Sequence, residues 1–337
     1  MKKFNFEMWG QALSVMPKIT KEEWNELDFV SQWLISTRAA AIVMTFVSVG
    51  IAGLLAIRDG NFNLWMWLLV LVGLIMAHAT NNLLNDYTDY VRGIDKDNYF
   101  REQYGPHPLG REFMTKRGLL TYAALNGLIA LIAGLILVYT RGGLVLPLMI
   151  AGAVFVLFYT YPLKYIAMGE IVMLFTWGPL MVGGGYYVMS GMWDWNVALA
   201  GLAYSLGVTA TLFGKHIDKL DLDKAKGVRT LPVVLGEKLA RYVGIALFVL
   251  EFIVVLYLII TGYFSLLLLV VFITVPMFLK VVLPMWRHPR PAEPPDDYPE
   301  GAWPLWFVGS GFLFARQWGM VYLLGLILDL VYHLIFV

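Results

Sequence analysis

Asn63-Leu-Trp-Met-Trp-Leu-Leu-Val-Leu-Val-Gly-Leu-Ile-Met-Ala-His78-Ala-Thr-Asn-Asn-Leu-Leu-Asn85-Asp-Tyr-Thr-Asp89 begins as a long apolar run and ends in acids. An apolar stretch of roughly 20 residues is what an α-helix needs to cross a bilayer. The run therefore reads as a membrane span whose last turn carries carboxylates. Similar apolar runs recur from Arg38 to the C-terminus, and they decide the class of fold. The spans fall at about 34–57, 63–85, 118–140, 143–162, 168–190, 195–214, 239–262, 264–285 and 312–335. The expectation is an all-α, polytopic membrane bundle of about nine helices around a central cavity, with ends read from hydropathy alone.

Composition agrees. Of 337 residues, 59% are hydrophobic and 15% charged, where a soluble chain carries about 25% charged residues. Lys and Arg number 25 against 24 Asp and Glu, a net charge of +1, which supplies no basic excess for nucleic acid. Cysteine is absent, so disulfides, thiolate metal sites and cysteine nucleophiles are excluded. The first residues lack the apolar core of a signal peptide, and no cleavage is expected.

Two segments organise the chain: an N-terminal cytoplasmic or interfacial stretch over 1–33, and a membrane domain over 34–337. In the first, Thr20-Lys-Glu-Glu23 has the form of a capping box and starts a helix expected to lie at the interface, with Trp24 and Trp33 at headgroup level. With nine spans, the N-terminus shares a side with the loops after spans two, four, six and eight. That side collects 22 Lys and Arg residues, and the opposite side has Arg58 and Arg141 alone. The positive-inside rule puts the basic side in the cytoplasm. The proline-rich run from Trp286 to Trp303 reads as an extended connector.

Two cytoplasmic loops mix acids and bases at the end of an apolar span. One runs Asn85-Asp86-Tyr-Thr-Asp89-Tyr-Val-Arg92-Gly-Ile-Asp95 and continues past Arg101 to Lys116; the other is Lys215-His-Ile-Asp218-Lys219-Leu-Asp221-Leu-Asp223-Lys-Ala-Lys-Gly227. On a helix Asn85 and Asp89 share a face, and Asp86 lies about 100° around it. Asp218 and Asp221 are likewise i, i+3. Carboxylates facing one cavity repel unless a cation sits between them, and hard oxygen ligands suit Mg²⁺ together with substrate phosphates. The interleaved Lys and Arg take up further phosphate charge. The chemistry that fits is a metal-held diphosphate leaving group at the mouth of an apolar bundle. The bland reading is hydrated loop charge with local ion pairs.

The motifs resemble those of the UbiA superfamily of membrane prenyltransferases. Asn85, Asp86 and Asp89 match its Asn-Asp-x-x-Asp motif. Asp223, Gly227, Thr230-Leu-Pro-Val233 and Leu235-Gly236 match the tail of its second motif. Tyr161-Pro-Leu-Lys164 matches its Tyr-x-x-Lys, Arg38 its arginine entering the first span, and His107-Pro-Leu-Gly110 resembles its Arg-Pro-Leu loop. Within the superfamily, Asn85 through Asp95, Gly169-Glu170, Phe175-Thr-Trp-Gly-Pro179 and Gly185-Tyr-Tyr187 are most similar to 1,4-dihydroxy-2-naphthoate prenyltransferases of menaquinone synthesis.

The resemblance implies a Mg²⁺-dependent transferase acting on a prenyl diphosphate and an aromatic acceptor within the lipid bilayer. Metal would be held by Asn85, Asp89, Asp223 and one of Asp218 or Asp221. Diphosphate would meet Arg38, Lys164, Lys215, Lys219, Arg92 and Arg101, and Tyr161 would wall the allylic cation. Asp86 or Asp95 would orient the acceptor. One departure stands out: the second motif usually has Asp four residues before Asp223, and this chain has Lys219 there. Either Asp218 or Asp221 substitutes, or Lys219 itself takes up diphosphate charge and only one metal binds firmly. The competing readings are the same fold with another acceptor (a tetrapyrrole, a homogentisate-like ring, a sugar phosphate or a lipid) and a membrane transporter with an acidic gate. His78 reads as a helix–helix hydrogen-bond partner, and His107 and His216 as candidate bases. Glu251 and Asp329 have no role legible from sequence.

Overall fold

The computed structural model describes residues 3–14, 17–96, 100, 103, 105–296, 298–299 and 302–336, and among these it has helices and no strand. Three short helices come first: α1 (Phe6–Ser14), α2 (Lys21–Glu26) and α3 (Phe29–Ser36). The membrane bundle follows as α4 (Ala39–Arg58), α5 (Leu64–Val91), α6 (Lys116–Arg141), α7 (Val145–Phe158), α8 (Gly169–Ser190), α9 (Trp195–Asp218), α10 (Glu237–Ile260), α11 (Leu266–Arg287) and α12 (Trp306–Phe336).

Eight of these are long and apolar enough to span a membrane. The ninth expected crossing, at 143–162, is the 14-residue helix α7. At 1.5 Å per residue it is about 21 Å long, short of a hydrocarbon core of about 30 Å. It gives way after Phe158 because Tyr161 precedes Pro162, and a residue before proline is driven out of the helical region. The chain continues as a 3₁₀ turn, Leu163–Ile166. After that early stop Thr160 and Lys164 reach the end of α5, where Thr160 accepts from Asn85 and Lys164 donates to Asp89.

Helix α9 runs through the middle of the bundle, and almost every residue from Val197 to Asp218 is buried. Its sequence explains this: Ala, Gly, Ser and Thr dominate, and small residues let helices approach closely in a membrane. At Gly214 an added Cβ would lie 2.7 Å from the Phe307 carbonyl carbon. Only glycine lets the start of α12 come this near the end of α9. By contrast, α6 turns Leu125, Leu128, Ile129 and Ile132 outward, where lipid would cover them.

The Thr20 capping box forms, with both the Thr20 and Glu23 hydrogen bonds in place. The helix it starts is short, however, ending at Glu26, and Asp28 caps a second helix by accepting from Val30 N and Ser31 N. Trp24 is buried and stacks on Phe113 with ring centroids 4.9 Å apart. It is therefore packed against protein, contrary to the headgroup position read from sequence. Trp33 Nε1 donates to Asn126 Oδ1. The proline-rich connector folds back over the α9 end: Arg290 donates to the Asp218 and Pro304 carbonyls, and Tyr298 stacks on Trp306.

Candidate active site

The site sits where α5 and α9 end. Four residues apart on the last turns of α5, Asn85 and Asp89 do share a face, and Asn85 Nδ2 donates to Asp89 Oδ2 at 3.3 Å and to Thr160 Oγ1 at 3.1 Å. Lys164, only 3% exposed, donates to both Asp89 oxygens at 2.9 and 2.7 Å. Asp86 lies around the helix, as its spacing requires, and is ion-paired with Arg38. Arg38 also donates to Asn85 Oδ1 at 3.2 Å. It reaches both from the junction of α3 and α4, where it adopts φ +58°. An L-residue seldom takes this left-handed conformation; here it breaks the helix and turns the guanidinium toward α5.

Facing this group is the second acidic segment. Lys219 Nζ donates to Asp223 Oδ1 at 3.0 Å, and both side chains are buried. Asp223 Oδ2 is buried with no hydrogen-bond partner among the described residues. The two halves touch where Lys226 Nζ donates to the Ile94 carbonyl at 2.7 Å. Burial raises the Tyr159 hydroxyl well above its usual range, with Glu170, Asp89 and Asp223 adding to the rise and Arg38 opposing it. Burial and then Asp89 raise the Tyr165 hydroxyl, Arg92 opposing and Asp223 adding. With the second segment joined to the loop after α5 through Lys226, the two acidic ends border one chamber.

Behind Asp223, His216 Nδ1 donates to Glu170 Oε1 at 2.5 Å, and Glu170 Oε2 accepts from Leu231 N at 3.3 Å. This buried pair ties α8, α9 and the Thr-Leu-Pro-Val turn together. On the other flank His107 Nδ1 accepts from the Leu109 and Gly110 amides, so its Nε2 carries the proton and donates to Asp95 at 3.1 Å. Asp86, Asp95 and His107 each place one ligand atom within 4.8 Å of the others.

Several candidates are placed elsewhere. Asp218 does not face the chamber group: its oxygens accept from Phe307 N at 3.1 Å and Val308 N at 2.9 Å, at the start of α12. Asp221 is exposed to solvent. One carboxylate is thus engaged at a helix end and the other is exposed. Tyr161 is 48% exposed, and the Arg92 guanidinium lies 3.6 Å from its ring centroid. A cation therefore covers one face of that ring, and Arg92 is itself exposed. Lys215 is half-buried one residue before His216. Arg101 lies outside the described residues. Sequence reading missed Thr160, Tyr159 and Tyr165 as site residues, and took Glu170 only as part of a motif. An acid beside an apolar run, with a histidine on a later span, was the available signal for the Glu170–His216 pair.

Below the polar chamber an apolar cavity of about 480 Å³ opens between α5, α6, α7 and α8. Asn81, one turn before Asn85, and Tyr159 line its upper end; Leu74, Gly152 and Met181 line its body. Among the described residues the donor set suits one hard divalent ion: an amide oxygen from Asn85, carboxylates from Asp89 and Asp223, and the uncommitted Asp223 Oδ2.

A bundle of membrane helices with a carboxylate- and lysine-lined chamber over an apolar cavity defines a class of intramembrane site. Residues 45–306 match the model of the UbiA prenyltransferase family, and the chain belongs to that family. It is 26% identical to a UbiA prenyltransferase domain-containing protein 1 homolog of Drosophila melanogaster, over 60% of this chain and 58% of that protein's length. It is 28% identical to a 1,4-dihydroxy-2-naphthoate octaprenyltransferase of Escherichia coli, over 62% of this chain and 70% of the relative. A UbiA homolog from Archaeoglobus fulgidus, solved bound to GPP and Mg²⁺, shares the fold with a TM-score of 0.53, at 16% identity over 90% of this chain and 98% of the other. The protein is an integral membrane protein of this fold.

Proposed function

We propose that the chain transfers a prenyl group from a prenyl diphosphate to the ring of a dihydroxynaphthoate-like quinone precursor, at the cytoplasmic face of the membrane. The observation that carries this reading is the buried Asn85–Asp89–Lys164 cluster at the end of α5, one turn beyond Asn81 at the rim of the 480 Å³ apolar cavity. The isoprenoid tail would occupy the cavity, where burial gains about 0.8 kcal/mol per CH₂. A single Mg²⁺, held by Asn85, Asp89 and Asp223, would stabilise charge on the diphosphate oxygens.

The chain's own residues do the rest. Lys164 exchanges Asp89 for diphosphate oxygens, and Arg38, beside Asn85, adds a second cation. The Tyr165 hydroxyl, a phenol that stays protonated at neutral pH, would donate to the leaving group. As the allylic C–O bond breaks, both electrons leave with the diphosphate. The acceptor carbon then bonds to the allylic carbon and loses a proton or carbon dioxide. Asp95, held by His107, faces the loop side of Asp86 and orients the acceptor hydroxyls.

The acceptor is supported by the naphthoate octaprenyltransferase relative, and the sidedness by the basic loops. Purified protein incubated with Mg²⁺, a prenyl diphosphate and dihydroxynaphthoate should yield a prenylated naphthoquinol by mass spectrometry. Prenylation of only a different acceptor would keep the transferase and discard the naphthoate. No turnover of any acceptor, from protein verified as folded, would discard both.

A further inference from the structure

The second acidic segment does not mirror the first. Three carboxylates lie within six residues, yet Asp218 is engaged by the amides of Phe307 and Val308 and Asp221 is exposed. Asp223 alone is buried beside the chamber, and the group next to it is the ammonium of Lys219 at 3.0 Å. Lys219 is 7% exposed. An ammonium has three N–H donors, and among the described residues the Lys219 side chain uses one, toward Asp223 Oδ1. Two buried donors and the unpartnered Asp223 Oδ2 are thus left beside each other.

We propose that Lys219 is a built-in cation of the diphosphate site, standing in for a second divalent ion, so that the chain takes its diphosphate with one Mg²⁺. This inference rests on the diphosphate reading above. The charge arithmetic is direct. Replacing an aspartate by lysine at one buried position raises the local charge by two units, which is the charge of one divalent ion. The three buried acids Asp86, Asp89 and Asp223 are already matched by Arg38, Lys164 and Lys219. A second ion would approach an ammonium at close range in a low-dielectric site, where like charges repel strongly. A diphosphate oxygen, in contrast, would meet two waiting N–H groups, and charge-assisted hydrogen bonds of this kind are the strong ones.

The test counts metal rather than turnover. The full chain in nanodiscs is titrated with Mn²⁺ and inorganic pyrophosphate, with bound Mn²⁺ counted by electron paramagnetic resonance. Wild type should take up one Mn²⁺ per pyrophosphate, and Lys219→Asp two. Lys219→Gln should weaken pyrophosphate binding by about tenfold or more, while Lys219→Arg, which keeps the charge, should retain most of it. Thermal unfolding of each variant separates lost binding from lost folding. Two Mn²⁺ in the wild type, or a folded Lys219→Gln that binds pyrophosphate normally, overturns the lysine's role and leaves the diphosphate reading standing. A wild-type chain that binds no pyrophosphate at any Mn²⁺ concentration removes both.

Discussion

Lys164 and Asp89 come from segments 75 residues apart and are both almost fully enclosed. Removing one member of such a pair strands a buried charge, which costs about 3–5 kcal/mol, whereas replacing both is often close to neutral. Lys164→Met alone should therefore lower stability by about that amount, and Lys164→Met with Asp89→Asn should recover most of it. Thermal unfolding in detergent measures both, and a single variant as stable as wild type would refute the coupling. The Asn85–Asp89 spacing made this pair half legible, because i, i+4 neighbours share a face wherever the helix sits. Thr160 and Tyr165 were not legible. They join the site through the early stop of α7, and nothing in their own types marks them.

At the level of elements, the end of α9 shows how one acidic cluster is divided between duties. Gly214 admits the α12 backbone, and the first amides of α12 then fall on Asp218. Unpaired amides at a helix start are satisfied by such an acceptor. Asp218→Ala should loosen the docking of α12 by about 0.5–2 kcal/mol, the usual loss for a helix cap. Pyrophosphate affinity should fall far less than in Lys219→Gln. A folded Asp218→Ala that loses pyrophosphate while keeping its unfolding temperature would return Asp218 to the metal site. Helix α8 carries its own irregularity: Thr176–Gly183 is π-helical around Pro179. Proline lacks the N–H of a regular turn and clashes with the preceding one, so the extra residue is accommodated there. The Thr20 capping box was legible because all its atoms lie within four residues. The burial of Trp24 was not, because Phe113 is brought over it by a loop nearly ninety residues away.

Among the described residues, acids, lysines and arginines concentrate toward the two ends of the bundle, with one exception. At the end opposite the chamber Arg58 binds Asp59 and Asp329, stacks on Tyr263 at 4.2 Å, and leaves Asp329 to accept from Ser265 N. That network accounts for Asp329, for which the sequence suggested no role. The exception is Glu251, fully buried with neither oxygen hydrogen-bonded among the described residues. Between the ends lies the apolar cavity. Gly152 lines it, and a Cβ there would meet nothing within 4 Å. Gly152→Phe should therefore fold and partly fill the space. Under the proposed reaction it should slow transfer from a long prenyl diphosphate much more than from a five-carbon one. Equal loss with both donors would place the tail elsewhere.

Hydropathy and spacing determined the membrane class, the positions of eight spans and the face shared by Asn85 and Asp89. Each of these depends on residues within about one helix length, so no distant partner can alter them. How the neighbouring carboxylates are used was decided only by tertiary structure. Asp218, Asp221 and Asp223 are one residue type within six positions, and the motif spacing singled out Asp223 while leaving Asp218 and Asp221 open. The amides of Phe307 and Val308 take the first, solvent the second, and only Asp223 keeps a free oxygen beside the chamber. A carboxylate's duty depends on which donors reach it, and those donors come from segments that only the packed bundle brings together.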